Sequence, residues 1–265
     1  MTIHYEQNFS TKPTAVSTAE TISFGTDFII GTGVRAYHLG LTGTAMDVDA
    51  LDRLRVKAGG QTIVDVTEQH LRALIQSMSP SNFDVANGDT RISIPLYFLD
   101  RPKNDPSKWD CGFPNGLAPT VEIVHDGTAS GAGTMALAYT YDDDPQKLPR
   151  FYPMFIGNDT NAGASASRAW SPITQKGWIA GFSILTTNLT TFELVLNGRS
   201  VLNLNTAQLL EAQQLGNSDV VTTTIFFRLD EPLPVGPGSG FYITGAAGWV
   251  TTNQVGILTY VPQGS

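Results

Sequence analysis

The chain has 265 residues, enough for one large domain or two of ordinary size, each with a real apolar core. Charged residues make up 15% of it, against roughly 25% in an average soluble chain, while 26 glycines and 15 prolines point to a turn-rich all-β protein with large uncharged polar surfaces. A net charge of −8 with Lys and Arg scattered singly excludes a basic face for nucleic acid, and the single Cys111 excludes an intramolecular disulfide.

Residues 1–21 are polar and rich in Ser and Thr, and read as an N-terminal arm ordered only by contact. The opening MTIHYEQNFSTKP has neither the basic nor the apolar stretch of a leader. Nowhere do ~18 apolar residues run together, so the chain is expected to fold in a cytoplasm without spanning a membrane. A first β domain, residues 22–150, begins at Ile22 and continues through FII at Phe28 and VRAYHLGL at Val34. After a loop from Thr42 to Asp49, LDRLRVKA from Leu51 alternates as a strand, Gly59-Gly60 makes a turn, and a second short apolar run follows.

Thr67 then stands as N-cap to a helix with Leu71, Leu74, Ile75 and Met78 on one face, which leaves His70 expected on the exposed face. Pro80 and the Asn87-Gly88 turn stop it. ISIPLYFLDRP is the next β-rich run, and the irregular stretch from Pro102 to Pro119 carries Trp109, Cys111 and Phe113. A loop of that length needs something packed against it. MALAYTY from Met135 closes the first domain, residues 151–173 read as a Gly-, Ala-, Ser- and Asn-rich linker, and residues 174–265 form a second β domain.

The two domains share a repeat. Leu51 to Leu71 matches Leu189 to Leu209 without a gap, at a constant offset of 138 residues. Leu54 meets Phe192, Val56 meets Leu194, Ala58 meets Leu196, Ile63 meets Val201, Val64 meets Leu202 and Val66 meets Leu204. Asn197-Gly198 takes the place of the first glycine turn, Asn205 or Thr206 caps the second helix, and Gly216 ends it. Apolar runs precede both copies, and β-rich runs ending at Pro102 and Pro232 follow them. Strands at short spacing in each domain suit an eight-stranded sandwich with Greek-key connections.

No motif supplies catalysis. Gly31-Thr32-Gly33-Val34-Arg35-Ala36 fits a dinucleotide pattern, but β-formers follow it where the phosphate needs a helix N-terminus. Gly163-Ala164-Ser165-Ala166-Ser167 lacks the closing glycine of a nucleophile elbow. His4, His38, His70 and His125 are far apart, without the i, i+4 spacing of a zinc pair. Asp142, Asp143 and Asp144, or Asp47, Asp49 and Asp52, could together offer oxygen ligands to calcium, but neither group has EF-hand spacing and both read as solvated loops. No metal-ligand set is assigned and no cofactor is implied. Asn8, Asn158 and Asn188 begin N-x-S/T triplets, which matter only in a secretory pathway.

The strand-turn-strand-helix block with its glycine hairpin, with Asp65 after Gly60 and Asn203 after Gly198, resembles that of the double jelly-roll major capsid proteins. Together with the two compact halves, it is most similar to those of tailless, icosahedral, membrane-containing bacteriophages of the corticovirus type. The resemblance covers about Ile22 to Val261. It implies two consecutive eight-stranded jelly rolls, each with a short helix, and a non-enzymatic chain. It further implies a homotrimer of pseudo-hexagonal outline that tiles a virion capsid, assembled in the host cytoplasm. Its partners would be neighbouring capsomers, vertex proteins and proteins associated with the internal membrane, with no sequence-specific nucleic acid contact.

The competing reading is a carbohydrate-binding or host-attachment sandwich. Trp178 and Trp249 fall in apolar runs and read as core, which leaves Trp109 and Trp170 as sugar-stacking platforms. A glycan-active enzyme with paired carboxylates ranks third, because 24 acidic residues offer many chance pairs.

Overall fold

The computed structural model describes residues 3–14, 19–23, 33–43, 51–58, 60–78, 91–96, 119–125, 131–142, 150–158, 168–185, 189–216, 224–245 and 255–262. Among the described residues the first eight strands are β1 (Ile3–Thr14), β2 (Ala19–Ser23), β3 (Gly33–Gly43), β4 (Leu51–Ala58), β5 (Gln61–Thr67), β6 (Arg91–Leu96), β7 (Pro119–His125) and β8 (Gly131–Asp142). Helix α1 (Glu68–Met78) lies between β5 and β6. The next eight are β9 (Phe151–Asn158), β10 (Arg168–Pro172), β11 (Trp178–Leu185), β12 (Leu189–Leu196), β13 (Arg199–Asn205), β14 (Thr224–Pro234), β15 (Gly240–Gly245) and β16 (Val255–Pro262). Helix α2 (Thr206–Gly216) lies between β13 and β14.

In the first set the neighbours run β1-β8-β3-β6 on one side and β2-β7-β4-β5 on the other. The second set runs β9-β16-β11-β14 and β10-β15-β12-β13. Raising each strand number by eight converts the first order into the second. In both, the first strand neighbours the last, the second the seventh, the third the sixth and the fourth the fifth. Such a chain is one long antiparallel hairpin rolled into two sheets, which defines a jelly roll. The protein therefore carries two consecutive eight-stranded jelly rolls, each with a short helix at the same place in its wiring.

The offset of 138 residues holds through the repeated block. It carries the bounds of β4, β5 and α1 onto those of β12, β13 and α2. Leu54 pairs with Val66 as Phe192 pairs with Leu204, and the bulge between Val56 and Lys57 recurs between Leu194 and Val195. A bulge shifts every following side chain to the other face, so its survival in both copies keeps both apolar rows inward. The turns agree as well: Gly60 has φ 81°, and Asn197 and Gly198 have φ 51° and 76°. Left-handed backbone at both central positions of a two-residue turn gives the twist that matches paired strands, which is why Asn-Gly stands there.

Alternation then builds the cores. In the second roll Ile179, Phe182 and Ile184 of β11 and Val255 and Ile257 of β16 meet Phe192, Leu194 and Leu196 of β12 and Phe241 and Ile243 of β15. Phe182 stacks on Phe192 at 4.6 Å between ring centroids and on Phe227 at 5.1 Å. In the first roll Leu54, Val56, Ala58, Val64, Val66 and Val121 are buried. By contacts the chain divides into two compact units, Met1–Glu68 with Asp84–Pro153 and Val261–Ser265, and Gln69–Phe83 with Met154–Tyr260.

Four expectations are corrected. Residues 1–21, read as an arm, contain β1, whose full length pairs with β8 from Ile3↔Asp142 to Thr14↔Gly131. A strand at the end of a sheet takes its order from backbone bonding, so a polar sequence suffices. Residues 151–173, read as a linker, contain β9 and β10. The small polar residues there fall mostly between two strands, FYPMFIGN and RAWSP, and the composition of the whole stretch hid both.

His70, expected on the exposed face of its helix, is fully buried, with Nδ1 2.6 Å from Oγ of the buried Ser183 on β11. It stands three and four residues before Ala73 and Leu74, which are buried with it, so it belongs to the inward stripe. Thr67 does precede α1, but its buried hydroxyl has no hydrogen-bond partner and does not cap. Asn205 does cap α2: its Oδ1 accepts from the Gln208 N–H at 2.9 Å, and the Gln208 side chain accepts from the Asn205 N–H at 3.0 Å.

Candidate functional site

The outward faces of the β2-β7-β4-β5 and β10-β15-β12-β13 strands bear corresponding rows with different chemistry. In the first, alternation sends Leu54 and Val56 inward and Arg55 outward. Arg55 stands opposite Glu122 on β7 and Asp65 on β5. Its Nη1 donates to both Glu122 oxygens at 2.9 Å, and its Nε donates to Asp65 at 3.2 Å. Arg53 donates to the other Asp65 oxygen. Burial works against the Arg55 charge, yet the hydrogen bonds and fields of Glu122 and Asp65 prevail and hold its pKa above the ordinary arginine value. In this row two arginines and two carboxylates compensate one another's charge.

In the second roll the same row reads Trp170, Tyr242, Glu193 and Asn203, because Trp170 pairs with Tyr242 and Glu193 pairs with both Tyr242 and Asn203. The Trp170 and Tyr242 rings lie 4.6 Å apart, tilted by 48°. The indole lies over Gly240, where any Cβ would collide with it. Glycine at 240 thus lets a large ring approach the backbone closely. Arg168, two residues before Trp170, sets its guanidinium 3.9 Å from the Tyr242 centroid and donates to Glu193. Trp170 remains 41% exposed. The result is an aromatic plate edged by one donor and one acceptor that neutralise each other.

Among the described residues the other sequence candidates do not gather into a site. Gly33 to Ala36 lie within β3, with no helix after them, so the glycine pattern builds no phosphate cradle. His4, His38 and His125 lie on β1, β3 and β7, apart from His70 on α1. Asp142 ends β8, and Asp52 is exposed on β4. Asp47, Asp49, Asp143, Asp144, Ser165, Ser167, Asn188, Trp109, Cys111, Phe113 and Trp249 lie outside the described residues. Asn8 and Asn158 lie on β1 and at the end of β9. Trp178, read as core, is half-buried at the start of β11. Among the described residues no group of three or more His, Cys, Asp or Glu could hold a metal ion, and no helix is long and apolar enough to cross a membrane.

Of the plate, sequence reasoning singled out only Trp170. Arg168, Glu193, Gly240 and Tyr242 are brought to it by strand pairing over as many as 76 positions, from Arg168 opposite Thr244 to Trp170 opposite Tyr242 and Pro172 opposite Gly240. Only the alternation within each strand was visible beforehand.

No family profile matches the sequence, and no curated protein matches it. Solved structures do. The protein superposes on the major capsid protein P2 from bacteriophage PM2 with a TM-score of 0.68 at 14% identity, over 98% of this chain and 98% of that one. The atomic structure of Sulfolobus turreted icosahedral virus gives 0.67 at 13% identity, over 98% of this chain and 90% of the other. The PBCV-1 virus capsid gives 0.55 at 10% identity, over 98% and 94%. Across its whole length the chain therefore has the double jelly-roll fold of major capsid proteins. At these identities the likeness is one of fold.

Proposed function

We propose that the protein is a structural major capsid protein whose copies assemble as pseudo-hexagonal trimers into an icosahedral shell, in the corticovirus manner, around an internal membrane. Its partners in this reading are two further copies in the trimer, neighbouring capsomers, and vertex and membrane-associated virion proteins. It would assemble in the host cytoplasm and reside in the virion capsid, with no catalytic step assigned to it.

The observation that supports this most directly is an asymmetry between the repeats. Ile63 is 0% exposed, whereas its equivalent Val201 is 47% exposed. His70 and Ala73 are buried, whereas Gln208 and Glu211, 138 residues later, are exposed. At these positions the strand and helix of the first copy are covered, and those of the second are exposed. A second copy of the chain that offers to β13 and α2 the kind of cover β5 and α1 already have would form a heterologous contact. Three such contacts close a ring of six similar lobes. The polar residues on α2 keep the face soluble beforehand, and the scarcity of charge leaves little to desolvate.

Light scattering on the purified chain is expected to give the mass of three copies, and electron microscopy of concentrated material is expected to show closed shells or hexagonal sheets. A strict monomer at all concentrations would overturn the proposal.

A further inference from the structure

We propose that the outward face of β10 and β15, centred on Trp170, is a binding site for a neutral oligosaccharide. The duplication makes this face stand out. At the corresponding row the first roll closes its polar groups on one another through Arg55, Asp65 and Glu122, whereas the second replaces Glu122 by Tyr242 and Arg55 by Glu193. The two rolls share wiring and register, so the change is chemical. An ion network has become an exposed aromatic plate.

The geometry of the plate selects the ligand. The Trp170 indole lies so close over Gly240 that no Cβ would fit beneath it, and the residue is still 41% exposed, so part of the ring rests on the protein and part is open to a ligand. An exposed indole suits a pyranose whose axial hydrogens make one side of the ring planar and apolar. The hydroxyls at the rim of such a ring need donors and acceptors beside the plate, and Arg168 and Glu193 supply one of each.

Charge narrows the class further. Arg168 is bound to Glu193 and rests on Tyr242, so its charge is compensated within the face, and the chain as a whole carries −8. An anionic glycan would meet no free cation in this cluster and would be opposed by the net charge. A neutral sugar meets neither obstacle. This reading does not depend on shell formation, since a monomer, a trimer or a shell presents the same sheet to a soluble sugar unless another copy covers it.

The test uses the full chain over immobilised neutral hexasaccharides of β-1,4-linked glucose, β-1,3-linked glucose and β-1,4-linked N-acetylglucosamine, with a sialylated glycan beside them. Saturable binding to at least one neutral probe, unaffected by added salt, is the expected result. Trp170→Ala should weaken it by about tenfold or more, Trp170→Phe by less, and Trp178→Phe not at all. Equal thermal midpoints and equal light-scattering masses show that the variants remain folded and assembled. Absence of binding to every neutral probe, undiminished binding by Trp170→Ala, or salt-sensitive binding to the sialylated probe alone would overturn the proposal. So would loss of higher assembly in Trp170→Ala with sugar binding intact, which would make the face a contact between copies.

Discussion

Truncating Ile63 and Val201 to alanine makes a similar change at equivalent places in the two rolls, and the structure assigns the two changes opposite consequences. Ile63 is wholly buried, so Ile63→Ala removes packed methyl groups and leaves a cavity, at a cost of about 2–5 kcal/mol to the folded chain. Val201 is 47% exposed, so Val201→Ala should change the unfolding of a single chain by no more than about 0.5 kcal/mol. Its cost is expected in assembly instead. At about 0.8 kcal/mol per methyl brought from water to full burial, two methyls already half covered are worth ~0.8 kcal/mol at each contact. Three contacts per trimer make that about 2.4 kcal/mol, or roughly 50-fold in the trimer association constant.

Urea unfolding of dilute protein reads the first quantity, and light scattering over a dilution series reads the second. If Val201→Ala dissociates no more readily than the parent, the face formed by β13 and α2 is not the contact between copies. If Ile63→Ala unfolds like the parent, the equivalence drawn between the two hairpins fails.

Asn205→Ala should cost about 1 kcal/mol because it removes a reciprocal cap, whereas Thr67→Ala, at the equivalent position, should be neutral or slightly stabilising, both read as urea midpoints. Gly198→Ala should cost about 1 kcal/mol in thermal unfolding although its Cβ would meet nothing, since the penalty lies in the left-handed backbone, and Gly198→Asn should recover most of it. Thr259→Val should stabilise by about 1 kcal/mol, because the buried Thr259 hydroxyl lacks a partner and valine keeps its shape; a destabilised variant would show that the hydroxyl is bonded. The Arg55 pKa is raised on folding, so its contribution is fully present below the unfolded value and is lost only as pH rises through the still higher folded one. The stability lost in Arg55→Met should therefore be constant from about pH 7 to 10, and a steep change there would contradict the ion network.

The hairpins were legible because their information is local. Alternation at Leu54, Val56, Phe192 and Leu194 and the turn chemistry of Gly60 and Asn197-Gly198 act within a few residues. A gapless repeat that preserves them preserves the register too. β1 was not legible, because its order comes from bonding to β8, more than a hundred residues away. His70 was missed for a related reason: a histidine on a helix reads as exposed until a partner such as Ser183 is placed against it.

The sequence by itself determined that the chain is all-β, that it is doubled, and where the repeated turns and helices fall, since these follow from side-chain periodicity and backbone preference along a short stretch of chain. Only the tertiary structure decided that Ile63 is covered while Val201 is bare, and that Arg168, Glu193, Gly240 and Tyr242 gather around Trp170. Burial and cross-strand neighbours depend on which distant segments pair, and two copies of one local pattern carry no record of what will lie against each.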